Sequence, residues 1–100
     1  MGSRLQLNSL LKTLGPKEVY FQPPASIQMV YPAIVYAIDN DWSEFASNLP
    51  YAHKKRYQVT VIDRNPDSLI PDKVRRLPLC SFSRNFVADN LNHNVFNLYF

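Results

Sequence analysis

Alternating apolar and polar residues near the middle of the chain constrain its fold more than any other feature. Tyr57, Val59 and Val61 alternate with polar residues, which is typical of a strand with one face towards a core. Residues 63–67 have the composition of a turn. Apolar residues at helical spacing then predict a helix over residues 68–77, with a proline tolerated in its first turn. This stretch therefore predicts a strand, a turn and a helix in succession.

The first 40 residues predict one helix and two strands. Leucines at three- and four-residue spacing indicate an N-terminal helix over residues 3–14, which Gly15-Pro16 ends. A short strand is expected at residues 19–21. The apolar, branched and aromatic run at residues 33–39 predicts a central strand buried on both faces.

A long loop is expected over residues 39–56, because this stretch has no clean hydrophobic period and contains several asparagines and a proline. Loops of this length in small domains are usually functional or mobile.

The last 21 residues, 80–100, predict a hairpin with its tip at residues 89–94. Phe82 and Phe86 are expected to share a face of its first strand. The residues expected to share a face of its second strand are Phe96, Leu98 and Phe100. An apolar strand at a chain end must be held by its own sheet or by a neighbouring subunit.

These elements predict a single α+β domain over residues 1–100. Its core is a small mixed or antiparallel sheet of about four to five strands packed with two helices. With 46% hydrophobic and 13% aromatic residues, the chain has enough apolar material for one core.

Composition also limits the classes of function. Two glycines exclude a glycine-rich phosphate loop, and the single cysteine, Cys80, excludes an internal disulfide and a cysteine-based zinc site. No signal peptide is recognised at the N-terminus, and the longest apolar run, residues 33–38, is too short for a membrane helix. A soluble protein of a reducing compartment is expected.

No pattern of residues indicates catalysis or metal binding. Cys80, His53 and His93 have no spacing that would place a thiol beside an oriented base. Asp39-Asn40-Asp41 lacks the glycine and the closing glutamate of a calcium loop. We therefore expect no enzymatic activity, no cofactor and no metal.

Charge is distributed unevenly along the chain. Residues 1–50 carry 3 basic and 4 acidic groups, whereas residues 51–100 carry 8 basic and 4 acidic groups. Within the basic half, residues 53–56 form a cluster that Tyr51 and Tyr57 flank, as in a surface that binds nucleic acid. The alternatives are that these charges keep a strand edge soluble, or that they pair with Asp41 and Glu44 of another subunit.

Several segments together resemble the small neck and tail-completion proteins of long-tailed bacteriophages, above all the tail terminators. The segments that carry the resemblance are YPAIVY, KRYQVTVIDRNPDS, IPDKVRRLP and FVADNLNHNVFNLYF, together with the N-terminal leucine helix and the strand VYF. The likeness covers nearly the whole chain, and residues 39–53 match least.

This resemblance implies a non-enzymatic virion protein that assembles in the host cytoplasm into a ring, typically a hexamer, at the phage neck. Such a ring caps the tail tube and joins it to the stopper or connector of the head, with passing DNA as a further contact. The candidate contact residues are Trp42, Phe45, Tyr51, Lys54, Lys55, Arg56, Asn90, Asn92, His93 and Phe100. The alternatives are a head-closure protein, or stopper, and a small DNA-binding regulator.

Overall fold

The protein has an α+β fold, a five-stranded mixed sheet with two helices, as the sequence predicts. The computed structural model describes residues 4–41 and 55–100. In chain order the elements are α1 (Arg4–Lys12), β1 (Glu18–Phe21), β2 (Ala33–Asp41), β3 (Lys55–Asp63), α2 (Ile70–Arg75), β4 (Cys80–Ala88) and β5 (Leu91–Tyr99).

The strands lie in the order β1-β2-β3-β5-β4. β1 runs parallel to β2, and all other neighbours are antiparallel. The C-terminal strand β5 therefore lies inside the sheet, between β3 and β4. Phe100 continues this pairing, since its N–H lies 3.0 Å from the Lys55 carbonyl oxygen and its own carbonyl accepts from Lys55 at 3.3 Å. The apolar chain end is thus held by its own sheet.

Both helices contribute to a core on one face of the sheet. Leu7 and Leu11 of α1 and Ile70 and Val74 of α2 belong to one buried cluster with residues of the sheet. The sheet residues of this cluster are Val19, Ile34, Tyr36, Tyr57, Val59, Val61, Phe96 and Leu98. The predicted inward face of β3 is confirmed. After α1, Gly15 has a φ of 108°, a left-handed conformation that favours glycine after a helix end.

The opposite face of the sheet is partly covered by the connection between β1 and β2. There the Tyr20 hydroxyl accepts a hydrogen bond from the N–H of Val30 at 3.1 Å. Further along, the guanidinium of Arg64 lies 5.9 Å from the centre of the Tyr31 ring. Ala33, Ile62 and Val95 are buried on this face. We call it the open face, because neither helix packs on it.

The predicted loop over residues 39–56 is wrong at both ends. β2 continues to Asp41 and β3 begins at Lys55, and these two residues are paired. A strand ladder is held by backbone hydrogen bonds, so it extends through polar residues that lack an apolar period. A register shift after Ile38 accommodates them. The rest of the predicted loop, residues 42–54, lies outside the described residues.

The remaining boundaries differ by a few residues. α1 spans Arg4–Lys12, not 3–14, and α2 spans Ile70–Arg75, not 68–77. The N-cap position of α2 is Leu69, and the hydroxyl of the preceding Ser68 accepts the Ile70 N–H at 3.3 Å. The central strand was expected to be buried on both faces, yet Ile38 is 43% exposed, and it lies beyond Tyr36, where the pairing with β1 ends.

The C-terminal hairpin is tighter than predicted. Its turn contains only Asp89 and Asn90, with φ angles of 53° and 62°, which is the geometry of a type I′ turn. Asn92 and His93 therefore lie in β5 and not in the tip.

Phe82 and Phe86 do not share a face, contrary to the prediction. Phe82 pairs with Phe96, which is buried in the helix-side core, whereas Phe86 pairs with His93 on the open face. A β-bulge between Phe82 and Arg84 inserts one extra residue, so the alternation of side chains reverses beyond it.

Candidate functional site

The basic cluster is partly neutralised within the sheet. Lys55 and Arg56 open β3, and an Arg56 guanidinium nitrogen lies 2.9 Å from the Asp39 carboxylate on β2. Both side chains are 32% exposed, so this ion pair is worth no more than about 1 kcal/mol. The Nε of Arg56 is buried and has no hydrogen-bond partner among the described residues. The cluster therefore presents Lys55 as its exposed charge on the described surface.

Four of the predicted contact residues, Trp42, Phe45, Tyr51 and Lys54, lie outside the described residues. Phe100 is half-buried beside the core, and its backbone is paired with that of Lys55. Its contribution within the chain is to close the end of the sheet.

Asn92 and His93 have contacts within the chain. The Asn92 side-chain amide donates to the carbonyl oxygens of Asp63 and Arg64 at 3.2 and 3.3 Å, which ties the turn after β3 to the hairpin. His93 stacks on Phe86 with ring centroids 4.5 Å apart, and its Nδ1 lies 3.0 Å from the Leu91 carbonyl oxygen. Asn90 is exposed in the turn. A contact of these residues with a partner stays a prediction.

The outermost strand, β4, forms the most exposed apolar surface of the sheet. Every residue from Ser81 to Ala88 is exposed. Phe82 is 43% exposed, Phe86 42% and Val87 69%, while every residue of the neighbouring strand β5 is buried or half-buried. We call this surface, residues 80–88, the β4 edge. The sequence did not predict this edge, because the order of strands in a sheet cannot be read from their alternation.

Arginines flank the β4 edge on both faces of the sheet. On the helix side, the Arg75 guanidinium lies 5.1 Å from the centre of the Phe82 ring, and on the open face Arg84 lies 5.8 Å from the centre of Phe86. The charged residues of α2, its C-cap and β4 are Asp72, Lys73, Arg75, Arg76 and Arg84. The edge is therefore both apolar and electropositive.

An open depression of about 200 Å³ adjoins this edge. It lies between the turn after β3 and the hairpin, and its lining residues are Pro66, Asn85, Phe86, Val87, Asn92, His93 and Asn94. The Asn92 amide is already bonded to the turn after β3, but the side-chain amides of Asn85 and Asn94 can hydrogen-bond to a polypeptide backbone in this shallow hollow.

The features weighed for chemistry are spread over the sheet. Asp39 to Asp41 lie in β2 and not in a loop, and in the described part of the chain no three His, Cys, Asp or Glu residues cluster as metal ligands. Cys80 begins β4 and packs against the core. Neither described helix is long and apolar enough to cross a membrane.

We expect the Cys80 thiol to react slowly. Burial raises its pKa, and the nearby positive charge of Arg75 opposes this only in part. Because the thiolate is the reactive form, alkylation by iodoacetamide at pH 8 should be several-fold slower in the folded protein than in urea. Arg75→Gln should slow it further. Equal rates in folded and unfolded protein would show that the thiol is not shielded.

Comparison with known proteins identifies no relative of this chain. No protein-family model matches the sequence, and no curated protein or solved structure gives a significant match. Any functional proposal therefore rests on the sequence itself, the fold and the β4 edge.

Proposed function

We propose that this protein is a structural subunit of a bacteriophage neck, a tail terminator that forms a ring of six copies. The ring would cap the tail tube and join it to the stopper or connector of the head. The resemblance in the sequence supports this proposal, and the α+β fold agrees with what that resemblance implies. The role is mechanical: it consists of contacts between proteins.

The observation that carries the proposal is the exposed β4 edge. Monomeric proteins usually protect a long edge strand, because its unpaired backbone groups and apolar side chains favour association. Here Phe82, Phe86 and Val87 remain exposed on a nine-residue edge. In a subunit that functions only within an assembly, such a surface can be covered by a neighbouring protein.

Assembly and position test this proposal. Size-exclusion chromatography with light scattering should show a closed oligomer, at high protein concentration or with tail tubes present. In images of intact particles the protein should lie at the head-proximal end of the tail. Recovery with tailless filled heads, and never with free tails, would instead identify the stopper.

A DNA-binding regulator is the second candidate, because arginines lie against exposed aromatic rings at Phe82 and Phe86. A strictly monomeric protein that shifts duplex DNA at physiological salt would favour this function. Such a result would contradict the neck proposal.

Reversing Lys54, Lys55 and Arg56 to glutamate should impair assembly and leave the fold intact. The Arg56 change places a carboxylate near Asp39, but both positions are one-third exposed and the repulsion is weak. Circular dichroism and light scattering separate the two effects. Reversal of Lys12 and Lys17, exposed on the other half of the chain, is the matched control and should assemble normally. Loss of folding in the triple variant would mean that the cluster is structural.

A further inference from the structure

We propose that the β4 edge binds an extended, acidic segment of a partner protein, which pairs with β4 and adds a strand to the five-stranded sheet. This inference rests on the proposed function only for the partner's identity as a neck or tail component. The partner segment must have an extended backbone, apolar side chains and carboxylates.

Backbone groups of β4 are available for such pairing. Both hydrogen bonds between Phe100 and Lys55 direct the backbone of Phe100 towards β3. Backbone groups alternate in direction along a strand, so the N–H and C=O groups of Val95 and His93 point towards β4. Their partners on β4, Arg84 and Phe86, direct their own backbone groups towards β5. The N–H and C=O groups of Asn85 and Val87 therefore point away from the sheet. They form a short row to which another strand can bond.

The other edge of the sheet is protected, and this contrast identifies β4 as the docking side. β1 has four residues, and Pro16 precedes it and Pro23 follows it within two residues. Short edges next to prolines resist pairing with another chain. β4 has nine residues without proline, and only a bulge near one end interrupts it.

Side chains on both faces of the β4 edge fit an apolar strand. Phe86 lies on the open face and Val87 on the helix side, next to the asparagine-lined depression. Successive side chains of an added strand would alternate between these two faces. Each face thus offers an apolar contact close to the bonding row.

The charges beside the β4 edge indicate which kind of added strand would fit best. Arg84 flanks the open face and Arg75 the helix side, and β4 itself contains no acidic residue. A second β4 edge would bring arginines of two copies together, which is unfavourable. A segment with carboxylates on both faces would pair with both arginines, and such complementarity selects the partner.

A peptide probe tests this directly. The probe is a fluorescein-labelled peptide of valine, threonine and glutamate, as long as β4, with glutamate on both faces of the extended chain. Fluorescence anisotropy should show saturable binding to the full-length protein that weakens as NaCl is added. Peptides with lysine in place of glutamate, or with alternate backbone amides methylated, should not bind.

The Val87→Pro variant distinguishes strand pairing at the β4 edge from nonspecific hydrophobic binding. The Val87 N–H makes no bond within the sheet, so proline should leave the fold intact and block an added strand. We expect peptide binding at least about tenfold weaker. Leu5→Ala, which removes an apolar side chain 66% exposed on α1, is the control and should bind normally. Binding that survives Val87→Pro would overturn the proposal.

Arg84→Glu tests the charge and remains decisive if the proline variant does not fold. It should weaken binding of the acidic peptide and create binding of the lysine peptide. The proposal is overturned if wild type binds neither peptide, binds both equally, or self-associates through β4 in a way that Val87→Pro abolishes. Peptide binding in a protein that is absent from phage necks would support this inference while refuting the proposed function.

Discussion

Val59→Asp is expected to unfold the protein. Val59 is fully buried at the centre of β3, paired with Tyr36 on β2 and Phe96 on β5 beneath the helices. An unpaired charge there costs several kcal/mol of a total stability of about 5–15 kcal/mol. Circular dichroism should show no cooperative melting transition at neutral pH, and the variant should accumulate as insoluble protein.

Gln58→Asp is the matched control, because it adds the same charge at the neighbouring position on the open face. The Gln58 side chain is only half-buried, so this variant should stay folded with a modest loss of stability. A Val59→Asp protein that is soluble and melts like wild type would show that the helix-side core has been assigned to the wrong face of β3.

Phe96→Ala should cause a large loss of stability, although it only removes side-chain atoms. Phe96 is fully buried and meets Phe82 edge to face at a centroid distance of 5.6 Å. Removing a buried phenylalanine costs about 3–5 kcal/mol, the loss of transfer free energy plus the cavity left behind. Urea denaturation should show a lower midpoint with an unchanged slope.

Phe82→Ala tests whether this effect depends on burial. Phe82 is the other ring of the same pair, but it is 43% exposed on the β4 edge. Less apolar area returns to water, and no closed cavity forms, so the loss should be well below that of Phe96→Ala. Equal losses would mean that the β4 edge is covered in solution, as it would be in a stable oligomer.

Part of the candidate site was predictable from the sequence. The basic residues at the start of β3 and the apolar chain end were recognised, because charge clusters and alternation are visible in a single chain. The residues that these groups contact in the folded chain were not predicted. The Asp39–Arg56 ion pair and the two bonds between Lys55 and Phe100 join residues distant in sequence, and only the folded sheet brings them together.

The β4 edge was not predictable, for two reasons. Alternation along residues 80–88 shows that a strand forms, but it does not show whether a neighbour covers its other side. The bulge after Phe82 also reverses the faces, so that Phe86 leaves the core side. A bulge depends on how two strands fit together, and an isolated strand gives no sign of it.

Local patterns in the sequence were enough to predict the α+β class and the approximate place of each described helix and strand. Apolar spacing and the Gly15-Pro16 stop are local properties, fixed by the geometry of a single helix or strand. The position of β5 inside the sheet and of β4 at its edge could be read only from the folded chain. Strand order depends on which long-range pairings bury the most apolar surface together, and that choice is made by the whole chain at once.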